Sequence, residues 1–375
     1  MMNSSTSLGV PPFPIKEGKR MSAEWAELPQ EIVEYISKRL TIYIDYLRFR
    51  CVCRPWNYYV PKIPLHLPPQ LPWLMLSHNS FFDLSTNKLH RLNLPSFSHE
   101  TRIIGSSHGW LVIIDGYGWV HLLNPIICAT VSLPSLRNFP ESVRMLFLDH
   151  NIYLIKVVLS ASPLLNKDFA ALAILSRRNL AFCRKGYDSW VLFNANENHH
   201  WIDAVYKNGL FYVVSVIGTV AVCDVEGPSI SIIETTISTG SLHRICYVMF
   251  SGEDMLMVTR DFTLEFEPLE FGPEPDVWTV GFVIYKLNWN LLKWEEIQTL
   301  GEHSLFIGKN YSLSFSAADF VGCRSNCVYF TDDLAGKRDF GIYSLSDERI
   351  EQLPCNPQNS YCCFGCPIWV TPNPQ

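Results

Sequence analysis

Four cysteines crowd the end of the chain, Cys355, Cys362, Cys363 and Cys366. The chemistry their spacing suggests is zinc binding, because thiolates at short Cys-x-x-Cys separations hold that metal tightly. The set is incomplete. No second Cys-x-x-Cys and no His pair lies nearby to close a four-ligand shell, and a free Cys serves as a small buried apolar side chain as readily as a ligand. No metal is expected there. His199 and His200 beside Trp201 form a second candidate pair, but adjacent side chains on a strand point to opposite faces, so the pair reads as turn or rim residues. Two carboxylate pairs could serve acid–base work, Asp332 with Asp333 and Asp224 with Glu226. The first ends an apolar strand and the second precedes Gly227-Pro228, positions where acidic residues build turns. The chain also lacks a Walker loop, a His-Glu-x-x-His pair, a Gly-x-Ser-x-Gly elbow and a dinucleotide fingerprint. The expectation is a protein with no catalytic residues and no cofactor.

The elements that would carry such residues are set by composition. Of 375 residues, 48% are hydrophobic, 13% aromatic and only 18% charged, which predicts a folded chain with a large core. The net charge is −6, and the nearest thing to a basic run is Lys16-Glu17-Gly18-Lys19-Arg20. That argues against nucleic acid as a partner and leaves the run as a solvated leader or a weak nuclear address. The first twenty residues contain no apolar stretch of signal-peptide length. The longest apolar runs, 152–165 and 213–223, are interrupted by Lys156 and Ser160 or are too short to span a bilayer. The expectation is a cytoplasmic and/or nuclear protein with no membrane partner, its 12 cysteines thiols and Asn310-Tyr311-Ser312 an unused glycosylation match.

Residues 28–60 read as helix. Leu28-Pro29 opens the stretch, since a Pro in the first turn lacks only an N–H that has no intrahelical partner. Ile32, Ile36 and Leu40 recur every four residues between Glu31, Glu34, Lys38 and Arg39, giving one apolar stripe and one wet face. Asp45 suits the N-cap of a second helix bearing Tyr46, Leu47, Phe49, Val52 and Cys53, and Pro55 can start a third around Trp56 and Tyr59. Three helices in about 35 residues fall below the size at which a lone core is usually stable, so a partner is expected to cover the stripe.

From about residue 71 the periodicity switches to two. Strands such as Leu74-Met75-Leu76, the 110–114 and 119–123 segments across Asp115-Gly116-Tyr117-Gly118, and the pair flanking Asn208-Gly209 are punctuated by short turns. Units of roughly 40 to 50 residues recurring over about 300 predict a β-propeller of about five to seven blades; the competing architecture is a pair of β-sandwiches. The chain is thus read as mainly β: a flexible leader at 1–21, a helical module at 22–62, a Pro-rich linker at 63–70 and a propeller-like domain at 71–375.

Leu-Pro, an aliphatic helix, then Asp45-Tyr46-Leu47-Arg48-Phe49-Arg50-Cys51-Val52-Cys53-Arg54 and Trp56 resembles the F-box. The resemblance implies binding to a Skp-type adaptor and, through it, to cullin and RING subunits. It implies adaptor-facing positions at Leu28, Pro29, Ile32, Ile36 and Leu40, with Leu47, Val52, Cys53 and Trp56 packing the helices and completing that surface. Pro55 departs from the family pattern and is expected to shorten the second helix. Tyr285-Lys286-Leu287-Asn288, Lys293-Trp294-Glu295-Glu296-Ile297, Leu305-Phe306-Ile307-Gly308, Asn326-Cys327-Val328-Tyr329-Phe330-Thr331-Asp332-Asp333, the closing Ile368-Trp369-Val370, and early on Ser107-His108-Gly109-Trp110 with Leu123-Asn124-Pro125 resemble the plant KIB-type β-propeller domain; the stretch 134–198 matches least. Together these imply a substrate-recruiting subunit of a Skp–cullin–F-box ubiquitin ligase with an unknown protein target. The rival readings are a ligand-binding or enzymatic propeller merely capped by the helices, and an F-box scaffold acting outside degradation.

Overall fold

The computed structural model describes residues 25–68, 70–77, 79–92, 94, 101–139, 154–176, 178–193, 199–237, 245–265, 276–331, 339–353, 355 and 367–372. The chain divides into two compact units, 1–67 and 68–375.

The first unit holds α1 (Gln30–Ser37), α2 (Tyr43–Arg50) and α3 (Arg54–Tyr59). Pro29 stands at the N-cap of α1 in extended conformation, so the Leu-Pro start is where the sequence put it. Three expectations are corrected. Asp45 does not cap α2: the helix begins at Tyr43 behind an extended Ile42, and Asp45 occupies the first turn, where its charge still favours the positive helix end and pairs with Arg48 at 3.3 Å. Leu40 is not on the first helix, because the backbone leaves it in a turn in which Arg39 N–H reaches Ile36 O and Leu40 N–H reaches Ser37 O. Pro55 does not shorten α2, which ends at Arg50; it lies in the first turn of α3, the position a Pro tolerates best.

The second unit is six sheets, a six-bladed propeller. In chain order the strands are β1 (Trp73–Ser77), β2 (Ser80–Asp83) and β3 (Lys88–Arg91); β4 (Arg102–Ser107), β5 (Trp110–Ile114), β6 (Val120–Asn124) and β7 (Ala129–Leu133); β8 (Leu154–Leu159), β9 (Ala170–Leu175), β10 (Asn179–Arg184) and β11 (Val191–Leu192). Then come β12 (Trp201–Lys207), β13 (Leu210–Ser215), β14 (Val220–Asp224) and β15 (Ser229–Ile233); β16 (Thr236–Ile237), β17 (Ile245–Ser251), β18 (Asp254–Glu265), β19 (Asp276–Asn288) and β20 (Lys293–Ile297); β21 (His303–Ile307), β22 (Leu313–Ser316), β23 (Cys327–Phe330), β24 (Gly341–Ser344) and β25 (Arg349–Gln352); and last β26 (Ile368–Val370). The two-sandwich alternative is excluded by this arrangement.

The chain closes its own ring. β26 adds to the first blade by antiparallel pairing with β1, Trp73 against Val370 and Met75 against Ile368, so strands from both ends of the domain complete one sheet, in the order β26-β1-β2-β3, and β1 is not left as an edge. The Asn208-Gly209 hairpin is present with both residues at positive φ, as a two-residue turn of matching twist requires. The sixth blade departs from simple up-and-down order. β21 pairs with β22 antiparallel but with β23 in parallel, so the chain turns back through β22 before crossing to β23. Gly308 makes this reversal possible: its φ is +145°, and a Cβ there would lie 2.0 Å from Thr331 Oγ1.

The blades pack through apolar faces, for example Trp110, Trp190 and Leu159 between the second and third and Phe282, Phe330 and Tyr343 between the fifth and sixth. Where inner strands converge the core turns polar. Lys156 of β8 meets Asp203 of β12 at 2.5 Å, both buried. Asp203 also accepts hydrogen bonds from Val248 N–H of β17 (2.9 Å) and Ser312 Oγ (3.0 Å), so one carboxylate ties four blades together.

Candidate protein-interaction surface

The helical unit sorts its apolar residues onto two faces. On α1, Val33 and Ser37 are buried, while Ile32, one position earlier, is 45% exposed and Ile36 half-buried. A step of one residue turns about 100° around a helix, so the 32/36 stripe cannot share the inward face taken by 33/37. Tyr43, Ile44, Tyr46, Trp56 and Val60 are buried in the same unit. Trp56 lies against Phe49 with ring centroids 4.3 Å apart and planes tilted by 35°, and donates its indole N–H to Trp25 O at 3.0 Å. Tyr46 donates its hydroxyl to Pro61 O, and the Arg50 guanidinium donates to Val60 O and Asn57 O, which fastens the segment after α3 against α2. Burial pushes the Tyr43 phenol up to about 12 and raises Tyr46 as well, Arg50 opposing it in both.

Of the residues picked from sequence, Pro29, Ile32 and Val52 are exposed, and Leu28, Ile36, Leu40, Leu47 and Cys53 are half-buried. Trp56 is 5% exposed and therefore supports the surface from beneath. Sequence reasoning missed four exposed apolar side chains, Trp25, Tyr35, Tyr58 and Leu65. Tyr35 was findable: it stands three residues after Ile32, a spacing that puts two helical side chains side by side. These exposed side chains are apolar and aromatic, the kind of residue that marks an interaction site when several are left uncovered together.

The described residues that could have carried chemistry do not converge. Cys355 is buried, with its thiol pushed up to about 11 by desolvation, the reverse of an activated nucleophile; Cys362, Cys363 and Cys366 lie outside the described residues, as do Asp332, Asp333 and the 16–20 run. His199 is buried with Nε2 3.5 Å from Glu234 Oε1, and His200 is exposed, the opposite-face arrangement read from the sequence. Asp224 Oδ1 accepts the Glu226 N–H at 2.8 Å and so builds its turn. Among the described residues no three His, Cys, Asp or Glu side chains converge on a point that could hold a metal ion, and no helix is long and apolar enough to cross a membrane.

Comparison with known proteins gives two family matches: the KIB1-4 beta-propeller over residues 81–344 and the F-box domain over residues 25–67. The chain is 26% identical to F-box protein SKIP23 of Arabidopsis thaliana, over 93% of this chain and 96% of that one. It is 27% identical to the F-box/kelch-repeat protein KIB1 of the same plant, over 82% and 77%. Among solved structures, the β-propeller domain of Myceliophteria thermophila Cps50 (Swd1) aligns with a TM-score of 0.35 at 12% identity, over 73% of this chain and 77% of that one.

Proposed function

We propose, for a chain that belongs to the F-box proteins bearing a KIB1-4 β-propeller, that it is the substrate-recruiting subunit of a Skp–cullin–F-box ubiquitin ligase. The observation that carries this reading is the exposure of Pro29 and Ile32 at the start of α1 and of Val52 between α2 and α3 on a small helical unit, in a chain whose remaining mass is a closed propeller. The adaptor would cover these residues, with the half-buried Leu28, Ile36, Leu40, Leu47 and Cys53 beside them and Trp56 holding the helices in place. Cullin and RING subunits would follow through the adaptor, and the propeller would hold the target protein. Such a subunit needs no reacting group of its own. The cysteine that transfers ubiquitin belongs to the conjugating enzyme, and the receptor contributes effective concentration and orientation. The site of action in this reading is the cytoplasm and/or nucleus.

The test is co-purification with a Skp-type adaptor. Replacing Leu28 and Pro29 together by Ala should weaken capture strongly, since residues central to such contacts commonly cost about 2 kcal/mol or more each. A reconstituted ligase should ubiquitylate a captured target with the full chain and not with residues 71–375, which should compete as an inhibitor. Capture unchanged by the double substitution, or ubiquitin held as a thioester on this chain, refutes the proposal.

A further inference from the structure

The sixth blade reaches past both of its neighbours. Between β21 and β22 the chain turns at Gly308 and runs through residues 308–312 before it enters the inner strand of its own blade. Asn310 forms a parallel bridge with Ser106 of β4, and the Tyr311 N–H donates to Ser106 O at 2.6 Å. β4 belongs to the second blade, so this bond skips the first. In the other direction, the Tyr311 hydroxyl donates to Tyr206 O of β12 at 3.2 Å and the Ser312 hydroxyl to Asp203 of the same strand at 3.0 Å. β12 belongs to the fourth blade, so these bonds skip the fifth.

The residues at the crossing suit a fixed contact. A Cβ on Gly105 of β4 would collide with Lys309 O, so the two backbones meet there only because residue 105 has no side chain. Asn310 is buried and turns its amide onto its own segment, Nδ2 donating to Phe306 O at 3.2 Å and to Tyr311 O at 2.7 Å. The Tyr311 ring lies against His108 with centroids 5.1 Å apart. Ser106 serves two parts of the chain at once: its carbonyl takes the Tyr311 N–H, and its hydroxyl donates to Trp369 O of β26.

We infer that residues 308–312 are a strap that locks the ring across its axis, a second closure beside the pairing of β26 with β1. The first closure consists of three residue pairs on the last strand of the domain, and a short terminal strand opens at lower free energy than the core of a sheet. The strap is anchored at both of its ends, in β21 and β22. It joins the second, fourth and sixth blades directly, so release of β26 from β1 leaves these three tied together. At that level the axis is crossed by the chain itself. The lock belongs to the propeller and does not depend on the receptor reading.

The experiment removes each closure alone and then both, and reads hydrogen exchange by mass spectrometry together with the radius of gyration from small-angle scattering. Gly105→Ala in the full chain wedges the strap off β4. The 308–313 segment should then exchange about tenfold faster or more, with the radius unchanged because β26 still closes the ring. Gly227→Ala, where a Cβ meets only an ordinary contact with Asp224, should leave that segment as slow as in the wild type. The chain ended at Cys366 should exchange faster in β1 to β3 while β4 and 308–313 stay protected and the radius holds. The chain ended at Cys366 and carrying Gly105→Ala should open, with a larger radius and fast exchange in β4. Full protection of 308–313 in Gly105→Ala overturns the inference, as does equal acceleration by Gly227→Ala. So does opening or unfolding of the chain ended at Cys366 with residue 105 intact, or a ring that stays closed when both closures are removed.

Discussion

Ending the chain at Cys366 removes β26, and its effect can be worked from the contacts that strand makes. Ile368, Trp369 and Val370 are all buried, and at about 1.5–3 kcal/mol per buried large side chain their burial contributes roughly 5–9 kcal/mol. Trp369 also meets the rings of Phe306 (5.3 Å) and Tyr329 (6.4 Å) edge-on, adding about 1–3 kcal/mol for the two pairs. Against this stands the entropy of fixing three residues, about 3–6 kcal/mol. The net loss is on the order of 3–6 kcal/mol, a large part of the 5–15 kcal/mol typical of a folded domain, before the newly opened edge of β1 is counted. At roughly 2 °C per kcal/mol for a domain of this size, the melting temperature should fall by about 6 °C or more. Near-UV circular dichroism during thermal and urea unfolding reads this directly. Trp369→Ala should reproduce most of the loss, about 3–5 kcal/mol. Trp369→Phe should cost less, because the indole N–H it removes is buried without a partner and its desolvation is then relieved. A truncated chain that melts within about 2 °C of the full one refutes ring closure through this strand.

The remaining predictions concern the centre of the ring. Asp203→Ala should cost more than Lys156→Met: the first strands a buried ammonium, at about 3–5 kcal/mol, whereas the second leaves a carboxylate still held by Ala204 N–H, Val248 N–H and Ser312 Oγ. Urea titration of both variants gives the order, and the reverse order would show that the pair is not what fixes the axis. His108, whose Nε2 lies 3.1 Å from Leu159 O, is held below its ordinary 6.5 chiefly by burial. As pH falls below 6.5 the unfolded chain takes up a proton that the folded chain refuses, so stability drops by up to about 1.4 kcal/mol per pH unit; His108→Gln should flatten the wild-type slope between pH 7 and 5.5, and parallel slopes would refute the assignment.

What could be read from the chain and what could not divide along a physical line. Hairpins announced themselves, because Asn208-Gly209 and the alternating segments on either side are local signals, and so did the return of Ile368-Trp369-Val370 as a late strand. The third blade did not. β8 to β10 are almost continuously apolar, and a run buried on both faces carries no period of two by which to tell it from any other apolar stretch. The sixth blade's reversed order was equally hidden, since it depends on what Gly308 would otherwise strike across the sheet. In the helical unit, the spacing of Ile32 and Ile36 set them apart from the buried Val33 and Ser37, with Ile32 exposed and Ile36 half-buried. Leu40 continued the spacing after the helix had already ended, a reminder that a repeat of four is evidence for a helix only as far as the backbone sustains it.

Lys156 shows why the middle of the molecule could not be foreseen. In sequence it is an interruption that disqualifies the 152–165 run as a membrane span, and its pairing with Asp203, 47 positions away, leaves no trace in composition or periodicity. In the folded ring it meets a carboxylate already committed to two further blades, so the charge costly to bury alone is buried in company. That placement has a consequence for the receptor reading. Apolar blade faces resist separation but tolerate sliding, whereas a hydrogen-bonded ion pair is lost on small displacement. Asp203 therefore fixes the inner strands of four consecutive blades relative to one another. In the receptor role proposed above, such a scaffold would serve proximity, because a target held on a mobile support is presented at a lower effective concentration.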